Sequence, residues 1–239
     1  MSLPHGDRPE QFTLAIDRPH EQRLDNFVVG ANVELVANLA KITRDFKGLW
    51  LYGDAGSGRS HLLRGRCLAA QLAGEPACYV GCAELKRQPG ALVAALAHAA
   101  EFGRIVAIDD VGHAVGDVQC EEYLMAAYQR LLGAEGELLI SHDEAAPNVT
   151  FALPDLNSRL RSLMNFLIRP LSDEDKAELL RRRADSRGYA LSQGVIDYWL
   201  ARGPRDVGAL LTDLELLDRA SLANQRVVTV PLLKQVLGY

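Results

Sequence analysis

The chain has no apolar run near the ~18 residues needed to span a bilayer; the stretch from Ala91 to Ala97 is short enough to be one buried helical segment. Its opening residues, Met1 to Pro9, lack the apolar centre of a signal peptide, so a cytoplasmic protein without membrane association is expected. Cysteine is scarce. The four thiols, Cys67, Cys78, Cys82 and Cys120, include no C-x-x-C pair, and no histidines stand at zinc spacing, which argues against a metal-thiolate centre and leaves core thiols as the expectation. Positive charge is in the minority: 26 Lys and Arg against 31 Asp and Glu, a formal net charge of −5. Backbone binding to nucleic acid needs clustered Lys and Arg that release counterions, so any DNA contact is expected to be indirect. No internal repeat and no low-complexity tract is present.

What is present is an ordinary globular composition, 48% apolar and 24% charged, in 239 residues. At about 100–200 residues per domain, that length accommodates one α/β domain and a smaller companion. Residues 1–23 are rich in Pro, His and charge and read as a flexible arm. Across 24–171, short apolar runs at Leu49 to Tyr52, Ala77 to Gly81, Ile105 to Ile108, Leu138 to Ile140 and Phe166 to Ile168 alternate with longer helical stretches. That alternation predicts βαβ units and a mainly parallel sheet with ligands at the carboxyl ends of its strands. From 172 to 239 the pattern is helical only. Ser172-Asp173-Glu174-Asp175 is a helix start with a capping serine and an acidic first turn, Gly188 is a helix stop, and Leu191 to Ala201, Val207 to Arg219 and Val230 to Leu237 supply further helices. The predicted fold class is thus α/β, a phosphate-loop domain followed by a small all-helical lid.

The strongest local signal is Gly53-Asp54-Ala55-Gly56-Ser57-Gly58-Arg59-Ser60, a G-x-x-x-x-G-K-[ST] loop with arginine in the lysine position. Its glycines allow successive backbone N–H groups to turn toward an anion, and the following helix adds the positive end of its dipole. The strand before it and the helix opening at His61 provide the context the motif requires. Guanidinium binds phosphate but is larger than an ammonium and not interchangeable with it in a tight site, so nucleotide binding with weak or no intrinsic hydrolysis is expected. Downstream, Arg104 to Ile108 is an apolar strand ending in Asp109 and Asp110. Beside a phosphate loop, Asp109, usually through water, and Ser60 would hold Mg²⁺, and Asp110 would stand where a water-activating carboxylate is wanted. His113 and His142 read as polar loop residues.

These motifs do not stand alone. With Phe27-Val28-Val29-Gly30, Leu153-Pro154-Asp155-Leu156-Asn157-Ser158-Arg159-Leu160, Pro170-Leu171-Ser172-Asp173-Glu174-Asp175-Lys176, and Leu217-Asp218-Arg219-Ala220-Ser221 with Gln225-Arg226, the chain resembles AAA+ ATPases of the bacterial replication-initiator type over nearly its whole length. Within that group it is most similar to the Hda family, regulatory inactivators of the initiator DnaA. The resemblance implies an adenine nucleotide, ADP or ATP, held by the loop residues Gly53, Ala55, Gly56, Ser57, Gly58, Arg59, Ser60 and His61, with Phe27, Val28 and Val29 toward the adenine. It implies a first sensor at Asp143. Gly208 falls where the family carries a second sensor arginine, and Arg205, three residues earlier, is the expected substitute if its helix has already begun. Arg159 is implied to act in trans on a neighbouring nucleotide site, that of ATP-bound DnaA; taken alone it reads as a helix-surface arginine.

Gln11, Phe12, Leu14 and Ile16 are similar to the peptide by which such proteins bind the sliding clamp of DNA polymerase III; without the resemblance they read as apolar residues docking on the chain's own domain. Self-association is left open. The function implied is a regulatory adaptor that limits re-initiation of replication, the alternative being a helicase-loader-like ATPase that turns over its own ATP.

Overall fold

The computed structural model describes residues 22–41, 45–224 and 228–238. The expected clamp-binding residues Gln11, Phe12, Leu14 and Ile16, together with Gln225 and Arg226, lie outside them. Five strands, β1 (Lys47–Tyr52), β2 (Ala77–Gly81), β3 (Ile105–Asp109), β4 (Glu137–His142) and β5 (Met164–Leu167), form one sheet in the order β2-β3-β4-β1-β5. Every pairing is parallel. The first domain also carries helices α1 (Val33–Ala40), α2 (Arg59–Leu72), α3 (Cys82–Leu85), α4 (Ala91–Phe102), α5 (Val118–Gly133) and α6 (Pro154–Arg161).

The middles of β1, β3 and β4 are apolar because the sheet is covered there on both faces, and alternate side chains enter different cores. Trp50, Val106, Ile108, Leu138 and Ile140 pack among α4, α5 and α6 residues such as Leu96, Leu124 and Leu156. Leu49, Leu51, Ile105, Ala107 and Leu139 face the other way, against Leu62, Leu63 and Cys67 of α2 and Leu35 and Leu39 of α1. At the amino ends of β1 and β4, Lys47 and Glu137 are in register, 3.0 Å apart, and Arg66 grips the same carboxylate with bonds of 3.0 and 2.7 Å. This buried charge cluster closes the end of the sheet opposite the phosphate loop.

The lid comprises α7 (Asp173–Ser186), α8 (Gln193–Arg202), α9 (Val207–Asn224) and α10 (Val230–Leu237). The Ser172 hydroxyl accepts from the Asp175 amide and the Asp175 carboxylate accepts from the Ser172 amide, a reciprocal cap that starts α7. Gly188, at φ +83°, follows the last turn of α7 as expected. Trp199, Leu180, Ile196, Leu210, Leu214, Leu217 and Leu233 form the lid core.

The four cysteines are free, and burial raises their thiols, that of Cys67 to about 12 and that of Cys120 to about 11, as expected of unreactive core residues. No helix among the described residues is long and apolar enough to cross a membrane.

Candidate nucleotide site

β1 delivers the chain into Gly53, and Gly58 caps α2 in a left-handed conformation, φ +101°. Gly56 also has positive φ, +76°. A Cβ added at Gly58 would come within 2.8 Å of the Phe27 ring, and one at Gly56 would run into the Asp206 carboxylate. Glycine is therefore required twice over, by backbone conformation and by close approach. Inside this turn the Ser57 hydroxyl is buried with no hydrogen-bond partner. A buried hydroxyl left unbonded is costly. The unused donor, the amides of the glycine turn and the N-terminus of the 14-residue α2 make a cradle that fits a phosphate.

The loop forms one wall of a cleft of about 630 Å³ between the sheet and the lid. Of the expected residues, Phe27, Val28, Ala55, Gly56, Ser57, Gly58, Arg59, Ser60, His61, Asp110 and Arg205 line it. Gly53 and Val29 do not line it. The lid supplies Lys176, Leu179 and Arg183 from α7 and Val207, Gly208 and Leu211 from α9. His61 also ties the loop to the chain before α1. Its ring packs edge-on to Phe27, and its Nε2 lies 2.8 Å from the Arg23 carbonyl. Burial pushes its imidazole below its usual value, so the neutral ring donates from Nε2.

Arg59 turns toward the strand ends. It donates to the Gly53 carbonyl at 2.8 Å and pairs with Asp110 at 3.1 Å. Asp110 is in the left-handed region, φ +51°, uncommon for a residue with a side chain. Its amide donates to Ser141 Oγ at 2.9 Å, which holds that conformation. Partial burial and the charge of Asp109 raise its carboxyl above the ordinary aspartate value, and Arg59 opposes both.

Asp109 does not line the cleft. It is 4% exposed; one oxygen accepts from Tyr79 Oη at 2.5 Å and the other from Ser141 Oγ. Burial, then the Asp109 charge, keeps the Tyr79 phenol protonated and therefore a donor. Of the expected Mg²⁺ residues, Ser60 lines the cleft, whereas Asp109 does not line it and is bonded by the Tyr79 and Ser141 hydroxyls. Among the described residues no group of three His, Cys, Asp or Glu side chains could hold a metal ion.

The end of β4 and the start of α9 set the positions of Asp143 and Arg205. Asp143, the expected first sensor, lies past the end of β4 with a 72% exposed side chain, 2.7 Å from His142 Nδ1. Ser141, two residues earlier and in register with Leu51 of β1, is the polar group that touches both strand-end aspartates. The strand ends at His142, so Ser141 is still held in the sheet beside Asp109 of β3, and Asp143 has already left it. Arg205 lies before α9 begins, with Asp206 capping that helix through the Ala209 amide at 2.8 Å, so Arg205 shares no helical face with Gly208. It reaches the cleft from the connecting loop, forked on Asp173 at 2.8 Å.

Arg159 is exposed on α6 and does not line its own cleft, its guanidinium 5.9 Å from the centre of the Tyr128 ring. The lid residues Lys176, Leu179 and Arg183 are cleft residues that the sequence reading does not assign to the site. Their spacing of three and four is the signal that would have found them, since such residues share a helix face.

A parallel sheet bearing a phosphate loop on an interior strand, two carboxylates at the end of β3 and a helical lid over the loop define an AAA+ phosphate-loop fold. Residues 173–237 match the family described as Hda, lid domain. The whole chain is similar in fold to domain III of the Thermotoga maritima replication initiation protein DnaA, at 19% identity and a TM-score of 0.77, covering 92% of this chain and 96% of that one. AMPPCP-bound DnaA from Aquifex aeolicus follows at 18% identity and 0.67, covering 83% and 65%. The Thermotoga maritima RuvB branch-migration motor is similar at 14% identity and 0.65, covering 91% and 71%. The lid thus matches the Hda lid family in sequence, and the chain shares its fold with domain III of DnaA.

Proposed function

We propose that this protein is a non-initiating regulatory adaptor: it holds ADP, docks on the replicase sliding clamp through residues 11–16, and stimulates hydrolysis of ATP held by DnaA. DNA is then reached only through the clamp. The observation that carries this reading is the pairing of Arg59 with Asp110. The loop keeps its anion cradle, but the arginine in the lysine position is bound to the carboxylate that would activate water. Such a site suits retention of a nucleotide and not its turnover. Support for an adenine nucleotide comes from the shared fold of AMPPCP-bound DnaA.

Arg159 supplies the second half of the proposal. It stands exposed outside the cleft of its own chain, where a guanidinium can enter another protein's site and stabilise charge on a transferring phosphoryl group. An arginine inserted in this way is worth about 10³–10⁵ in rate in GTPases. The test follows ADP formation in a mixture of ATP-loaded DnaA, clamp, DNA and this protein. The wild type is expected to accelerate it, and Arg159→Ala to bind clamp and ADP normally while losing the acceleration. Full stimulation by Arg159→Ala would show the arginine is misassigned. Brisk ATP turnover by this protein alone would favour a helicase-loader-like ATPase.

A further inference from the structure

Resting on the reading of the cleft as a nucleotide site, we infer that it binds a nucleoside diphosphate without a divalent cation, the lid ammonium of Lys176 supplying the counter-charge that a metal would otherwise bring. Three observations lead there. The strand-end carboxylate that would face a cation, Asp109, spends both oxygens on Tyr79 and Ser141 and is shut off from the cleft. The neighbouring carboxylate, Asp110, is neutralised by Arg59. Each would have to give up a protein partner before it could face a metal.

On the opposite wall Lys176 is the reverse case. Its side chain is only 10% exposed and lines the cleft, and its nearest carboxylate oxygen is that of Asp173 at 3.5 Å. That carboxylate is already forked by Arg205 at 2.8 Å. A buried ammonium has three donors to satisfy and is poorly served by one distant, shared partner. Phosphate oxygens seated in the glycine turn, where the Ser57 hydroxyl also lacks a partner, would satisfy both groups. An ammonium binds phosphate as a compact point charge and needs no metal bridge.

The experiment is calorimetric titration of the full chain with ADP, in excess Mg²⁺ and in EDTA. The wild type is expected to show the same Kd in both buffers. Lys176→Met is expected to bind about tenfold more weakly in each, the loss of roughly one charge-assisted bond, and Lys176→Arg to recover most of that affinity. Circular dichroism melting of each variant checks the fold, and the charge-preserving arginine variant separates lost charge from lost packing. Marked weakening of the wild type in EDTA would overturn the metal-free site, and unchanged binding by Lys176→Met would overturn the role of the lysine. If the wild type binds no ADP in either buffer, the nucleotide reading itself falls.

Discussion

The Arg59–Asp110 pair joins a mostly buried guanidinium to a carboxylate whose side chain is 37% exposed. Solvent screening at the exposed end limits such a pair to about 0.2–1 kcal/mol. A double-mutant cycle of Arg59→Ala and Asp110→Ala, measured by urea denaturation, is expected to give a coupling energy in that range; strictly additive losses would show the contact is not made in solution. His61 carries the pH dependence of this region. Because its folded-state pKa lies below the usual 6.5, the unfolded chain binds the extra proton in the interval between the two values, and stability rises with pH there. Stability is therefore complete above pH 6.5 and declines as pH falls below it. Thermal melts across that range should show a shallower decline for His61→Gln than for the wild type. The loop residues around His61 were legible in the sequence because their chemistry is contiguous in the chain. The partners Tyr79 and Ser141 of Asp109 were not, since they come from two other strands.

Local start and stop signals were reliable wherever a side chain acts on its own backbone. Ser172 caps α7 with both reciprocal bonds formed, and Ser172→Ala is expected to cost about 1 kcal/mol. For a chain of this length that corresponds to a fall in melting temperature of about 2–4 °C, readable by calorimetry. Boundaries without such a signal moved. α9 runs to Asn224, beyond the Arg219 expected, because nothing between Ala220 and Asn224 breaks a helix. β5 spans Met164–Leu167 and not Phe166 to Ile168, because its pairing partner is β1 and its edge position leaves Met164 and Leu167 exposed. Exposure at a sheet edge removes the alternation from which a strand is read.

The cleft joins two separately packed cores, one on the sheet and one in the lid, and a ligand bound between them stabilises whatever state holds them together. ADP at a hundredfold excess over its Kd is expected to add about 2.7 kcal/mol, raising the melting temperature measurably. ATP is expected to raise it less, because Gly208 brings no side-chain cation to the lid wall and Arg59 is held by Asp110. Equal or larger stabilisation by ATP in differential scanning would contradict the preference for the diphosphate.

Composition, period and motif were enough to establish an α/β phosphate-loop domain with a helical lid, because each of those features acts over a few neighbouring residues. They were also enough to pick out Arg59 as the departure that matters. Where Arg59 points, which hydroxyls bond Asp109, why Ser141 and not Asp143 meets the Asp109 carboxylate, and that Lys176 lines the same cleft as the phosphate loop all depend on the order of strands and the fold of the lid over the loop. Those contacts join residues 30 to more than 100 positions apart, and a linear pattern carries no record of which distant surfaces the packing of two cores will bring together.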